Sequence, residues 1–465
     1  MKSIRLLVSA VALLTVSASA QTLTPQQQFA HDVYKELVEI NTVTPTGDTG
    51  RAADAMAARL LAAGFPEADV HVFKPAPRKG DLVVRLHGTG AGARRPILLM
   101  AHIDVVEALP QDWSLAPFQL TEKDGYFYGR GTGDDKFMAA TFVTNLIRLK
   151  QEGFRPDRDI IVALETDEET GDPDAVGIQW LIKNHRDLID AEFALNEGGG
   201  VGTRNGKALR NSVQTTEKVF EDYVLEVKNS GGHSSVPSKD NAIYHLAAGL
   251  NRLAQFDFPL KLNETTRNWL EEASRLEDKQ IGADMLSVAS GRPDPAAVAR
   301  LSAKPVYNAQ LRTTCVATLL QAGHADNALP QKAQATVNCR VLPGESLEEV
   351  QKTLVRVMAD DQISVTPKVW DAMSAPSPLR PDLLGAIKQV SAELWPGIPV
   401  IPIMSTGATD GRFLRNAGIP VYGTSGLAND IDDVSAHGKD ERVPVKSFYE
   451  GQEYLYRLVK LLASQ

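Results

Sequence analysis

Pro96-Ile97-Leu98-Leu99-Met100-Ala101-His102-Ile103-Asp104-Val105-Val106 is an apolar run that ends in a histidine and a carboxylate two residues apart. Led in by a proline and rich in Ile, Leu and Met, it reads as a fully buried strand of a parallel sheet. Open α/β sheets bind their ligands beyond the carboxyl ends of the strands, so His102 and Asp104 fall where chemistry is expected.

Two more runs have the same form. Ile160-Ile161-Val162-Ala163-Leu164 is followed by Glu165-Thr166-Asp167-Glu168-Glu169, and Phe193-Ala194-Leu195 is followed by Glu197. Three strands thus deliver a histidine or carboxylates at the same end of one sheet. Asp134-Asp135 sits in the turn Gly129-Arg130-Gly131-Thr132-Gly133 before a helix, and His437 lies in a late loop. Taken singly, these signals are ordinary: Glu168-Glu169 reads as a solvated acidic turn and Asp134-Asp135 as a helix cap. Together they place so many acids in one cleft that ionisation would be resisted without a compensating cation. Imidazole with carboxylate suits zinc, and a shared acid suits a pair of divalent ions, so a dinuclear metal centre is expected.

The rest of the chain surrounds these strands. Thr24-Pro25 caps an amphipathic helix carrying Phe29, Val33, Leu37 and Ile40, and a second helix runs from Arg51 to Ala63 before Gly64. Short strands follow at 70–73 and 82–86, and a long helix after Gly133 carries Met138, Phe142, Leu146 and Leu149 on one face. From about Thr215 the texture changes. Phe220 to Val227 alternates apolar and polar residues, the mark of a strand with one wet face. A helix over 241–254, a polar helix-prone insertion over 262–303, strands near 310–319 and 333–341, a helix over 345–358 and a strand over 363–369 complete a smaller α+β unit. After Asp371 the parallel pattern returns, with a helix over 383–394, strands over 399–403 and 420–422, and a terminal helix ending at Ala463. The simplest architecture is an α/β unit with a central, mostly parallel sheet flanked by helices, built from residues 21–214 and 372–465, with the smaller unit 215–371 inserted.

The 465 residues are 43% hydrophobic and 23% charged, with a net charge of -9. That balance suits a soluble globular chain too long for one core and argues against nucleic acid as a partner, because clustered Lys and Arg are missing. Residues 1–20 read as a secretory signal: Lys2 and Arg5 precede an apolar run from Leu6 to Val16, and Ser17-Ala18-Ser19-Ala20 fits a cleavage site. The run is shorter than the roughly 20 residues a bilayer needs, so the mature chain, starting near Gln21, is expected in the periplasm or outside the cell and not in a membrane. Cys315 and Cys339 fall in strands that adjacent antiparallel pairing could bring together, as a disulfide or as two buried thiols.

The blocks His102-Ile103-Asp104-Val105-Val106, Gly129-Arg130-Gly131-Thr132-Gly133-Asp134-Asp135-Lys136, Thr166-Asp167-Glu168-Glu169-Thr170-Gly171 and Asn196-Glu197-Gly198 resemble those of the zinc exopeptidases and amidohydrolases. That family includes glutamate carboxypeptidase, carnosinase-type dipeptidases, aminoacylase and succinyl-diaminopimelate desuccinylase. The resemblance spans nearly the whole mature chain in the right order. It implies that His102, Asp134, Glu169, Glu197 and His437 bind two zinc ions, with Asp134 bridging, His102 and Glu197 on one ion, and Glu169 and His437 on the other; cobalt or manganese are possible substitutes. It further implies that Asp104 accepts the other ring N–H of His102 and fixes its tautomer. Glu168 is implied as the general base that takes a proton from the attacking water.

The resemblance extends to the inserted unit through Gly231-Gly232-His233-Ser234-Ser235, Asn327-Ala328-Leu329-Pro330 and Arg340, and to the last segment through Gly407-Ala408-Thr409-Asp410-Gly411-Arg412. It implies that His233, Asn327, Arg340, Gly407 and Arg412 contact substrate, His233 at the oxyanion and often in the partner's site, Arg340 at a free carboxylate. The implied activity is carboxypeptidase or dipeptidase hydrolysis of a small peptide, with N-acyl amino acid hydrolysis as the alternative within the class. Relatives often dimerise through the inserted lid unit. From outside the class, a non-catalytic peptide-binding protein is opposed by the complete set of candidate ligands.

Overall fold

The structure is a computed structural model, and it describes residues 23–90, 94–170, 176–368, 373–433 and 435–464. The signal segment 1–20, Gly171 and the 369 and 371 boundaries therefore lie outside the described residues.

A ten-stranded mixed sheet organises the molecule. Its middle is parallel: Ile97–His102 lies between Ile160–Glu165 and Phe193–Asn196, and Val421–Gly423 joins the far side of the latter. All residues of Ile97–His102, Ile160–Glu165 and Phe193–Asn196 are buried, as their unbroken apolar runs require when helices cover both faces. One cover is the helix Lys136–Gln151, with Phe137, Phe142, Leu146 and Leu149 inward, packed with Pro25–Glu39 and Val445–Leu462. The opposite face is closed by Ile178, Leu181 and Leu414. Thr24 caps the first helix through a reciprocal bond with Gln27, matching the Thr-Pro signal. The parallel strands end together, so His102, Glu165 and Asn196 share one rim.

The strand Lys207–Glu217 was not legible in the sequence. It pairs in parallel with Val400–Ser405 and antiparallel with Val201–Arg204. Its inner half holds buried Asn211, Gln214, Thr215, Thr216 and Glu217 instead of an apolar stripe; Asn211 donates to Ser391, Gln214 to Glu217, and Thr215 bonds Thr265. Because this strand continues in the central sheet to Glu217, the chain leaves that sheet at Lys218, beyond the expected change at Thr215.

A separate four-stranded antiparallel sheet is built from Val219–Lys228, Thr314–Ala322, Lys332–Val341 and Ser364–Pro367. The helices Ala242–Ala254 and Leu347–Met358 cover one face, with Leu246, Leu253, Val350 and Leu354 in its own apolar core. Cys315 and Cys339 are opposite each other in the register and form a disulfide. The strand expected from 310 begins at Thr314, because residues 305–311 complete a helix instead. The helix-prone insertion becomes four short helices between Glu264 and Leu311 with their own cluster around Leu270, Met285 and Leu301. They adjoin the central sheet as well: Thr265 bonds Thr215, and Gln310 donates to the Met404 carbonyl. No helix among the described residues is long and apolar enough to cross a membrane.

Candidate metal centre

His102, at the end of its strand, is 2% exposed. Its Nδ1 faces the main-chain carbonyl of Asp104 at 3.0 Å, and its Nε2 lies 2.9 Å from Asp134 Oδ1. The expected contact through the Asp104 side chain is absent: its Oδ1 is 3.6 Å from Nδ1, beyond hydrogen-bond reach. That carboxylate instead accepts the amides of Glu168 at 3.3 Å and Glu169 at 3.1 Å. Two converging amide donors hold a carboxylate better than one imidazole edge. Asp104 therefore orients the ring through its backbone and the acidic pair through its side chain.

Glu168 and Glu169 open a 3-10 turn just beyond Ile160–Glu165. The turn is anchored from below. Asp81 accepts the Thr166 amide at 3.1 Å, and Lys79 pairs with Asp167, which takes a left-handed backbone conformation. Asp134 leaves the Gly-Arg-Gly-Thr-Gly turn with its two oxygens facing two histidines: Oδ1 meets His102, and Oδ2 lies 3.1 Å from His437 Nε2. His437 Nε2 is also 2.9 Å from Glu169 Oε1. His102, Glu168 and Glu197 form one group, and His102, Asp134 and Glu169 another, each with donor atoms within 4.8 Å of one another. The structure thus brings His102, Asp134, Glu168, Glu169, Glu197 and His437 into one cluster.

Electrostatics explain what such a cluster needs. Burial pushes Glu197 well above the usual carboxylate range, and Asp134 and Glu168 raise it further. Glu168 is pushed up chiefly by burial, with Asp410, Glu169 and Asp104 adding to the rise against the pull of His102. Burial works to lower the His102 pKa but is outweighed by Asp104, Asp134 and Glu197, so the ring is held well above its ordinary value. Hydrogen bonds to Asp134 and Glu169 push His437 up to about 10. A carboxylate-rich pocket with two inward Nε2 atoms fits a divalent cation, whose charge relieves the mutual repulsion and replaces the ring protons.

The candidate substrate residues fall in two places. Arg340, on Lys332–Val341, stacks over Phe220, and burial together with the nearby Arg412 charge lowers its pKa against the pull of Asp222. Arg412 lies on the short helix Gly411–Asn416, just after the turn that holds Gly407, close enough for its charge to bear on Arg340. His233 and Asn327 are instead on an exposed two-stranded ribbon formed by Gly232–His233 and Ala328–Leu329. The His233 ring is engaged by Ser235, and the Asn327 carbonyl accepts from Ser234, so neither meets the cluster through these bonds.

Sequence reasoning missed Glu441. Its buried carboxylate accepts from Arg130 and from the amides of Gly131, Gly133 and Asp134. Its position four residues after His437 was the available signal. It also missed buried Glu165 and Asp410, which lie behind the cluster and interact with each other, and Lys136, whose pKa burial pushes down to about 7 while it donates to the Ile40 carbonyl.

The sequence profile of peptidase family M20/M25/M40 matches residues 98–461. The N-fatty-acyl-amino acid synthase/hydrolase PM20D1 of Xenopus tropicalis is 32% identical over 361 residues, covering 75% of this chain and 69% of that protein. The probable carboxypeptidase S-like 2 of Dictyostelium discoideum is 30% identical over 378 residues, covering 79% of this chain and 71% of its own length. The crystal structure of the M20 family metallo-carboxypeptidase Sso-CP2 from Sulfolobus solfataricus superposes with a TM-score of 0.70 at 17% identity, covering 93% of this chain and 98% of that one. At that identity the likeness speaks for the fold.

Proposed function

The chain belongs to peptidase family M20/M25/M40, and from that premise we propose that it is an exported dinuclear zinc hydrolase, of carboxypeptidase or dipeptidase type, that cleaves an amide bond beside a free carboxylate. The observation that carries this reading is Asp134, whose two oxygens face His102 and His437 while Glu168, Glu169 and Glu197 close around them. In this reading His102 and Glu197 would hold one ion and Glu169 and His437 the other, with Asp134 serving both; cobalt or manganese would substitute. Bound zinc supplies a lowered water pKa and a polarised scissile carbonyl. Glu168 takes the proton of the attacking water and returns it to the leaving nitrogen. Burial holds its carboxyl above the usual carboxylate range, which favours return of the proton after it has been taken up.

Arg340 and Arg412 bind the substrate carboxylate, since a guanidinium fork meets a carboxylate with two hydrogen bonds. The inserted unit, expected over 215–371, acts as a lid that carries Arg340 to the site, and Gly407 lines the turn beneath it. His233 and Asn327, exposed on their ribbon, serve the site of a second copy. The edge strand Thr314–Ala322 supports such a homodimer, because Val316, Leu319 and Leu320 are 60%, 59% and 63% exposed on it. Sedimentation of the wild type and of Leu320→Lys tests this: a wild-type monomer sinks it.

Export to the periplasm or medium is supported by the leader-like residues 1–20 and by the Cys315–Cys339 disulfide, which an oxidising compartment favours. A second reading, hydrolysis of N-acyl amino acids, is favoured by the similarity to an N-fatty-acyl-amino acid synthase/hydrolase. Turnover of a panel of dipeptides and N-acyl amino acids, with metal content measured on the same sample, decides between them. About two zinc ions per chain with no turnover of either class would leave a binding protein and reject both readings.

A further inference from the structure

The ion pair Arg130–Glu441 lies outside the proposed ligand set, yet it joins two of the segments that supply that set. Its side chains are 3% and 1% exposed. Arg130 Nη1 donates to Glu441 Oε2 at 2.7 Å, and the same oxygen accepts the Gly131 amide at 3.0 Å. Glu441 Oε1 accepts the amides of Gly133 at 2.7 Å and Asp134 at 3.2 Å. One carboxylate therefore shapes the whole turn that presents Asp134. The turn needs glycine at Gly131, which has φ +83° and where a Cβ would stand 2.8 Å from Val105 Cγ1.

Arg130 works in the other direction. Its Nη2 donates to the carbonyls of Gly438 at 3.0 Å, Glu107 at 3.4 Å and His437 at 3.5 Å. His437 has a side chain 54% exposed and a φ of +59°, so its own packing does little to hold it. A buried ion pair is weak as a stabilising device, because desolvation offsets most of its Coulomb energy. What this pair does well is fix geometry: fork and cradle together set the distance between a turn and a loop that are far apart in the chain.

We propose that Arg130 and Glu441 are positioning residues for the half-site of Asp134, Glu169 and His437, holding Asp134 and His437 in register so that this half retains its cation. The proposal rests on the dinuclear reading above. Loss of the pair weakens this half-site more than that of His102 and Glu197, which shares Asp134 but does not depend on the His437 loop that Arg130 holds.

The test uses the full mature chain with Glu441→Gln, which turns an amide group toward amide donors, and Arg130→Lys, which keeps the charge and loses the fork. Zinc binding is followed by calorimetry against a competing chelator. Amide exchange of 131–134 and 435–441 is measured on the metal-free protein. The expected result is one cation weakened about 10- to 100-fold, the other, which shares only Asp134 with it, weakened clearly less, and faster exchange in both segments, with Arg130→Lys milder than Arg130→Met. Two cations at wild-type affinity, or both weakened equally, would overturn the proposal. If the wild type binds no zinc, the dinuclear reading fails, and unchanged exchange in the variants would then separately reject the clamp. Should Glu441→Gln not fold, Arg130→Lys carries the same readouts.

Discussion

His437 Nε2 stands 3.1 Å from Asp134 Oδ2, although the histidine lies on a half-exposed loop near the end of the chain and the aspartate on a glycine turn in its first third. The other Asp134 oxygen meets His102. A carboxylate flanked by two imidazoles from separate segments suits the shared role proposed for it, and His437, with its side chain 54% exposed, is the most exposed of the proposed ligands. His437→Ala should therefore leave the fold intact, lower the zinc content from about two to about one per chain, and depress turnover at least ~100-fold. Elemental analysis after dialysis checks this, and retention of both ions would remove His437 from the set.

Glu168 has no assigned place among the ligands and is raised by burial and neighbouring acids. Glu168→Gln should keep the zinc content and the substrate KM close to wild type while kcat falls by about a hundred- to ten-thousandfold. Loss of metal in this variant would make Glu168 a ligand and vacate the role of base.

Arg340→Ala should raise KM for a substrate with a free α-carboxylate by about tenfold or more, since a charge-assisted hydrogen bond contributes about 1.5–3 kcal/mol. The same variant should leave the already poor hydrolysis of the corresponding amide-blocked substrate unchanged. Equal losses on both substrates would show that Arg340 does not read the carboxylate.

The Cys315–Cys339 bond ties the exposed strand Thr314–Ala322 to its neighbour, joining positions 24 apart in sequence. Replacing both cysteines by serine should cost about 2–4 kcal/mol in denaturant unfolding, with little change in kcat. An unchanged unfolding midpoint would mean that the strand pairing alone holds the edge.

Lys218 is buried where the chain passes from one sheet to the other, and its Nζ donates to the Arg312 carbonyl at 2.6 Å. Burial pushes its pKa down from 10.5 to about 7, against the pull of Glu345. Above that folded value and below the unfolded one, the unfolded chain holds a proton that the native chain has released, so this group makes stability rise with pH across that window. Lys218→Met should remove that rise, by up to about 1.4 kcal/mol per pH unit, leaving a pH-independent cost for the unpaired carbonyl. Identical slopes in both proteins would show that Lys218 stays charged.

The buried parallel strands were legible because their signal is local: an unbroken apolar run needs cover on both faces wherever it sits. The capped first helix and the helices over 242–254 and 347–358 were legible for similar reasons. The strand Lys207–Glu217 was hidden because its buried inner half is polar, with Asn211 and Thr215 bonded to partners distant in sequence. The start of Thr314–Ala322 was misplaced because apolar alternation does not separate the last turn of a helix from the first residues of a strand.

By itself, the sequence determined which strand ends carry imidazole and carboxylate, because strand register places a residue at the rim without reference to anything else. From that followed the expectation of a divalent metal centre, while the resemblance of the motif blocks pointed to the fold class and the family, which the comparisons bear out. Only the tertiary structure decided how those groups are held: that Asp104 turns its carboxylate to the Glu168 and Glu169 amides, that His233 and Asn327 sit exposed on a two-stranded ribbon, and that Glu441 shapes the turn of Asp134 while Arg130 holds the loop of His437. Those relations join loops through hydrogen bonds across long sequence separations, and no periodicity records them.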